Sequence, residues 1–170
     1  TITHLDSCVA MYNNYKETYK KEVLNFDVAF SAIFKNEFNN TPLKFKTTTI
    51  NSLISAGDIK LLDPKLREKL TRYNSRKDFA MEVSDRNQNN ALHILESTLM
   101  SGLPTLGYLK EQPILRDYLN IKERRPDIFV KLEAYFLWKN AGETQTIRDL
   151  NRIMEDIDVL LVLVNEKLEK

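Results

Sequence analysis

The sequence predicts an all-α fold: an elongated helical bundle with three long helices, at about 2–38, 64–100 and 143–168, and two or three short ones. Three observations carry this. Apolar residues recur at steps of three and four along most of the chain, the spacing of one helical face. The whole chain holds only 4 Gly and 5 Pro, fewer than the frequent turns of a sheet-rich fold demand. Its 170 residues are 42% hydrophobic, enough for one core, and a chain of this size can bury roughly 70% of its unfolded surface. Residues 1–170 are therefore read as a single helical domain.

The first helix is read from Leu5, Cys8, Tyr12, Tyr15, Tyr19, Val23, Phe26, Phe30 and Ile33, with charged residues such as Lys16, Glu17 and Lys20 between them. No Gly or Pro interrupts this run, and a continuous helix would be about 50 Å long at 1.5 Å per residue. Asn39-Asn40-Thr41-Pro42 ends it, because Pro cannot continue the hydrogen-bond ladder and turns its predecessor away from helical angles.

Residues 48–76 form a corner. Thr47 or Thr48 can cap a short helix through its hydroxyl, and Ile50, Leu53 and Ile54 form the apolar face of that helix. Gly57 fits the left-handed position just past a helix end. Asp63 caps the next helix and Pro64 occupies its first turn. Ser55-Ala56-Gly57-Asp58 also invites comparison with a phosphate loop. That motif needs more glycines and a preceding strand, and the sequence offers neither.

The helix from Pro64 starts an apolar stripe at Leu66, Leu70 and Tyr73. In register, the stripe then meets Lys77, Ala80, Ser84, Asn87 and Ala91, and turns apolar again at Ile94, Leu95 and Leu99. The middle has lost its large apolar side chains, so the helix either bends at 85–90 or is solvated there. Residues 101–112 read as irregular, 113–121 as a short helix, and Pro126-Asp127 as the start of another. Asn140-Ala141-Gly142 is read as the end of that helix. The last helix carries Ile147, Leu150, Met154, Ile157, Leu161, Val164 and Leu168 in unbroken steps of three and four, a coiled-coil-like seam. Leu150, Met154, Ile157, Leu161 and Val164 are expected to be buried in the bundle.

Charge and cysteine content narrow the functions. With 25 basic and 24 acidic residues the formal charge is +1, which gives no basis for nucleic acid as a partner. Cys8 is the single cysteine, so no intrachain disulfide forms. The longest apolar run, Val159 to Val164, falls far short of the ~20 residues of a membrane span. Any membrane attachment must come from an upstream segment.

No set of residues declares a chemistry. His93 and Glu96 share a helix face, but a complete ligand set is missing, and His4 lies near the chain start. No nucleophile with a base can be assembled, because Cys8 falls on an apolar face and only 2 His are present. Glu155, Asp156 and Asp158 read as a solvated face and Arg124-Arg125 as surface. Catalytic, cofactor and metal residues are accordingly all expected to be none. Tyr12, Tyr15 and Tyr19 stand out, because buried phenol hydroxyls need partners. If helices one and three pack antiparallel, these tyrosines face Ser84 and Asn87. The result would be a self-satisfied polar network or a polar pocket for a small molecule.

The stretch from Phe45 to Tyr73 resembles a family of membrane-anchored bacterial proteins of unknown function. The likeness is carried by Thr49 to Ile59 with its Ser-Ala-Gly, the apolar pair after it, Leu66-Arg67-Glu68-Lys69-Leu70 and Tyr73. An apolar final helix like Val159 to Leu168 is a further shared trait. The resemblance implies a helical extracytoplasmic domain behind an N-terminal membrane helix, and it supplies no catalytic residues. Without it, the expected location is the cytoplasm. The leading functional reading is a non-enzymatic interaction or structural module that takes a protein partner or self-associates. A ligand-sensing bundle is the alternative, and an enzyme ranks third.

Overall fold

The computed structural model describes residues 2–20, 25–39, 42–104 and 112–169. All regular structure among them is helical. In chain order, α1 is Ile2–Lys16, followed by a 3₁₀ turn at Glu17–Lys20; α2 is Phe26–Ile33 and α3 is Thr48–Ser55. A second 3₁₀ turn spans Asp58–Leu61, then come α4 at Pro64–Met100, α5 at Pro113–Tyr118 and α6 at Ile121–Leu168. The all-α bundle with several long helices is as expected; the way the long helices are divided is not.

Two helices form the frame: α4 with 37 residues and α6 with 48. They run antiparallel. Lys167 meets Asp63 at one end at 3.0 Å, Arg76 meets Asp156 at 2.7 Å, and Lys131 donates to Ser101 at the other end. At mid-length a Cβ added to Gly142 would lie 3.0 Å from Asn87 Cβ. That contact explains why Gly142 does not end a helix, as its sequence context suggested. Its missing side chain lets α4 approach, and α6 passes straight through Asn140-Ala141-Gly142. Helix α6 also begins upstream of Pro126. Pro126 stands past the first turn, where it removes the N–H that would bond to the Lys122 carbonyl and its ring crowds that carbonyl.

The first predicted helix is not one helix. It gives way to a 3₁₀ turn after Lys16, and α2 starts at Phe26 behind the N-cap Asn25, whose side chain accepts from Asp27 N. Residues 21–24, including Val23, lie outside the described residues, as do Asn40 and Thr41 of the expected terminator. The two halves run in opposite directions, with Cys8 of α1 against Glu37 beyond α2. Helix α1 lies antiparallel to α6, with Tyr12 stacked on Phe136 and Tyr15 donating to Glu133. It is therefore parallel to α4, and the antiparallel pairing of the first and third helices expected from sequence is incorrect. The end of α1 at Lys16 and the new start of α2 at Phe26 permit this reversal.

Arg125 clamps α2 onto α6. It pairs with Asp27 at 2.6 Å and its guanidinium lies over the rings of Phe26 and Phe30. The main core gathers where α1, α2, α4 and α6 meet, around Tyr12, Ile33, Ala91, Ile128, Leu132, Tyr135 and Phe136. Tyr135 keeps its hydroxyl satisfied there by donating to Phe38 O at 2.9 Å. A second, smaller cluster of Leu43, Ala80 and Ile153 holds the other end. Helix α4 runs unbroken through 85–90. Asp85, Arg86, Asn89 and Asn90 are exposed while Ser84 and Ala91 are buried, so the polar stretch is one solvated face of a continuous helix. Of the irregular stretch expected at 101–112, residues 105–111 lie outside the described residues.

The corner has the expected form with one exception. Gly57 adopts φ 77° between α3 and the second 3₁₀ turn. Asp63 caps α4 by accepting from Lys65 N at 3.0 Å, and Pro64 sits in the first turn. The exception is Thr47, whose hydroxyl makes no backbone cap and instead accepts from Asn51 Nδ2 at 3.2 Å. Gly57→Ala is expected to lower stability by about 1 kcal/mol, the cost of a Cβ in the left-handed region. Apart from its chain neighbours, no atom of the described residues lies within 4 Å of where that Cβ would sit, so urea melts of this variant read backbone strain. An unchanged midpoint would show that the turn relaxes.

The seam of the last helix is the main correction. Leu150 is half-buried, but Met154 is 53% exposed, Leu161 55%, Val164 38% and Ile157 36%. The buried stripe is a different one, marked by Ile153 and Leu163. A bundle covers as many helix faces as it has neighbours to cover them. At this end α6 packs mainly on α4, which covers a single stripe.

Candidate functional site

The expected pocket of tyrosines with Ser84 and Asn87 is not assembled. The hydroxyls of Tyr15 and Tyr19 both donate to Glu133 of α6, and the two oxygens are 2.8 Å apart. Burial raises Tyr15 far above the ordinary phenol range, helped by the hydrogen bond to Glu133. Tyr19 is pushed up to about 12, again first by burial. These phenols are donors locked onto one carboxylate. Tyr12 packs in the core between Tyr15 and Phe136.

Ser84 and Asn87 instead line a narrow, partly open cleft with Gln88, Leu5, Lys139 and Glu143. A cleft between the first and third predicted helices does exist, but Leu5 stands where tyrosines were expected. The parallel run of α1 and α4 accounts for this, because it sets the start of α1 beside Ser84 and carries Tyr12 and Tyr15 on to Ala91. On the cleft wall Lys139 and Glu143 form an ion pair with side chains only 5% and 13% exposed. Burial holds the Glu143 carboxyl above its ordinary range, and the hydrogen bond and charge of Lys139 offset part of that rise.

Sequence reasoning missed a cluster beside this pair. Cys8 Sγ lies 3.8 Å from His4 Nε2 and 3.5 Å from Glu37 Oε2, to which the thiol donates. His4 Nε2 is 3.7 Å from Glu37 Oε1. The spacing of four that puts His4 and Cys8 on one face of α1 was legible. Glu37 was not, because in a continuous helix it would lie roughly 44 Å from Cys8. Burial pushes the Cys8 thiol up to about 11; Lys139 opposes this, while Glu143 and the Glu37 hydrogen bond add to it. Glu37 itself is held below the ordinary carboxylate range: desolvation raises it, but hydrogen bonds from Cys8 and Asn39 and the charges of His4 and Lys139 prevail.

The other sequence candidates are structural or solvated. His93 and Glu96 form an exposed pair at 3.5 Å, with side chains 78% and 68% exposed. Asp156 is held by Arg76 and Arg72, and Arg125 is the clamp described above.

The chain matches no protein-family model, no curated protein and no solved structure.

Proposed function

We propose that this chain is a helical interaction module that self-associates through the C-terminal half of α6. The observation that carries this reading is the uncovered apolar seam of Met154, Ile157, Leu161, Val164 and Leu168. Val159, Leu161 and Val162 make this part of α6 apolar on nearly every side, and all three are exposed. A helix apolar all round is normally buried all round. No described helix is long and apolar enough to cross a membrane. The seam repeats in heptad steps, so a second copy related by a twofold axis presents the same knobs and holes.

The likeness of residues 45–73 to the membrane-anchored family extends the reading. In that arrangement the module stands outside the cytoplasm, with an upstream membrane helix as its tether. Fractionation of cells making the natural protein tests this part, and recovery wholly in the soluble fraction counts against it.

Sedimentation equilibrium of the chain over a wide concentration range tests self-association. The expected result is a reversible dimer that Leu161→Asp returns to monomer with its helical circular dichroism intact. A wild-type chain that stays monomeric throughout overturns the proposal. So does a dimer that the substitution leaves unchanged.

A further inference from the structure

We propose that His4, Cys8 and Glu37 form a binding site for a borderline divalent transition-metal ion of the zinc type. The donor atoms lie within 4.8 Å of one another, and their separations have the size of an ion's coordination faces. With zinc–sulfur bonds of about 2.3 Å and zinc–nitrogen or zinc–oxygen bonds of about 2.0–2.1 Å, a tetrahedral ion sets sulfur about 3.6 Å from each of the other donors, and nitrogen about 3.3 Å from oxygen. The observed separations are 3.8 Å for Cys8 Sγ–His4 Nε2, 3.5 Å for Cys8 Sγ–Glu37 Oε2 and 3.7 Å for His4 Nε2–Glu37 Oε1, the last two ending on different oxygens of the carboxylate. A single Glu37 oxygen leaves the three donors within 4.8 Å of one another, so a turn of the carboxylate and shifts of about an ångström bring all three onto one ion.

The donor set selects the class of ion. Thiolate and imidazole together suit zinc or cobalt, whereas magnesium and calcium take oxygen donors. Charge is balanced as well. On binding, the Cys8 thiol gives its proton to solvent, and the thiolate with the Glu37 carboxylate matches a dication, with His4 ligating as the neutral imidazole. The nearby Lys139 does not upset this balance, since Glu143 pairs with it.

Three protein donors leave a fourth position open. Beside the cluster is a small, partly open cleft with room for about one water, whose walls include Asn36, Glu37, Lys139 and Asn140. Asn140 Oδ1 is buried there with no hydrogen-bond partner among the described residues. It is an acceptor of the kind a metal-bound water needs. The three donors come from α1 and the segment after α2, so an ion there would pin the two arms of the α1–α2 reversal together.

Cobalt(II) is the probe, because a thiolate ligand gives it an intense near-ultraviolet charge-transfer band; zinc competition then gives the affinity. The expected result is one ion per chain, with the thiolate band present. Cys8→Ser should abolish the band, and Glu37→Gln should weaken binding by at least about tenfold, the scale of effect seen even for outer-shell partners. Glu37 sits at the edge of the fold with its side chain 29% exposed, so its variant tests the site even if Cys8→Ser fails to fold. His93→Ala should leave binding unchanged. No thiolate band in the wild type overturns the proposal, and so does equal affinity in Glu37→Gln. Loss of binding in His93→Ala also overturns it, by assigning the ion to the exposed pair.

Discussion

Leu132→Ala is expected to lower the unfolding free energy by about 3–5 kcal/mol, the upper part of the range for buried leucines. Leu132 is 0% exposed and sits in the core where four helices meet. It shares that core with Tyr135 and Phe136 of its own helix and with Tyr12 of α1, Ile33 of α2 and Ala91 of α4, elements whose packing elsewhere limits collapse into the space left behind. The transfer cost and the cavity cost then both apply. Leu161→Ala is the matched control. Its side chain is more than half exposed, so the expected change in the monomer is less than about 1 kcal/mol. Urea melts of both variants, at concentrations below association, check the pair. Similar losses for the two would mean that the core has been placed at the wrong end of α6.

Glu143→Ala is expected to cost about 3–5 kcal/mol, because it leaves the buried Lys139 ammonium without its partner. Both side chains of this pair are nearly inaccessible, so solvent cannot take over the role of the carboxylate. Replacing both residues, Lys139→Met with Glu143→Leu, should recover most of the loss, since a buried pair exchanged for apolar side chains of similar size is often neutral. The pH dependence has a definite sign. The Glu143 carboxyl is raised in the folded state, so the folded chain binds more protons than the unfolded one in that window. Stability therefore falls as pH rises through the titration of Glu143, and the double variant should lack this component. Chemical denaturation across mildly acidic pH reads it. A double variant no more stable than Glu143→Ala would show that the position needs the ion pair itself.

Local chemistry accounts for the parts of the fold that were legible. Period-3.6 patterning with few glycines and prolines predicted helices, and helices are present. Gly57, Asp63 and Pro64 behave as their backbone preferences require, because a left-handed turn, a side-chain cap and a fixed φ involve only neighbouring atoms. The i,i+4 spacing of His4 and Cys8 is equally local, but two donors by themselves point to no site.

The rest depended on contacts between residues far apart in sequence. Gly142 has the local signature of a helix end, yet it lies mid-helix because α4 needs the room its missing Cβ provides. The first helix carries an unbroken apolar stripe, yet it divides, because folding back lets α1 and α2 both pack on α6. That reversal redirects the tyrosines from Ser84 and Asn87 to Glu133, and it brings Glu37 to Cys8. An apolar seam announces that a helix face needs covering. Whether the cover belongs to the same chain depends on how many helices reach that end of the bundle. The sequence by itself determined which segments are helical and where the corner turns, since those rest on torsions and hydrogen bonds between near neighbours. Helix direction, the exposed seam and the His4–Cys8–Glu37 cluster were decided only in the tertiary structure, because each rests on which faces meet across the chain.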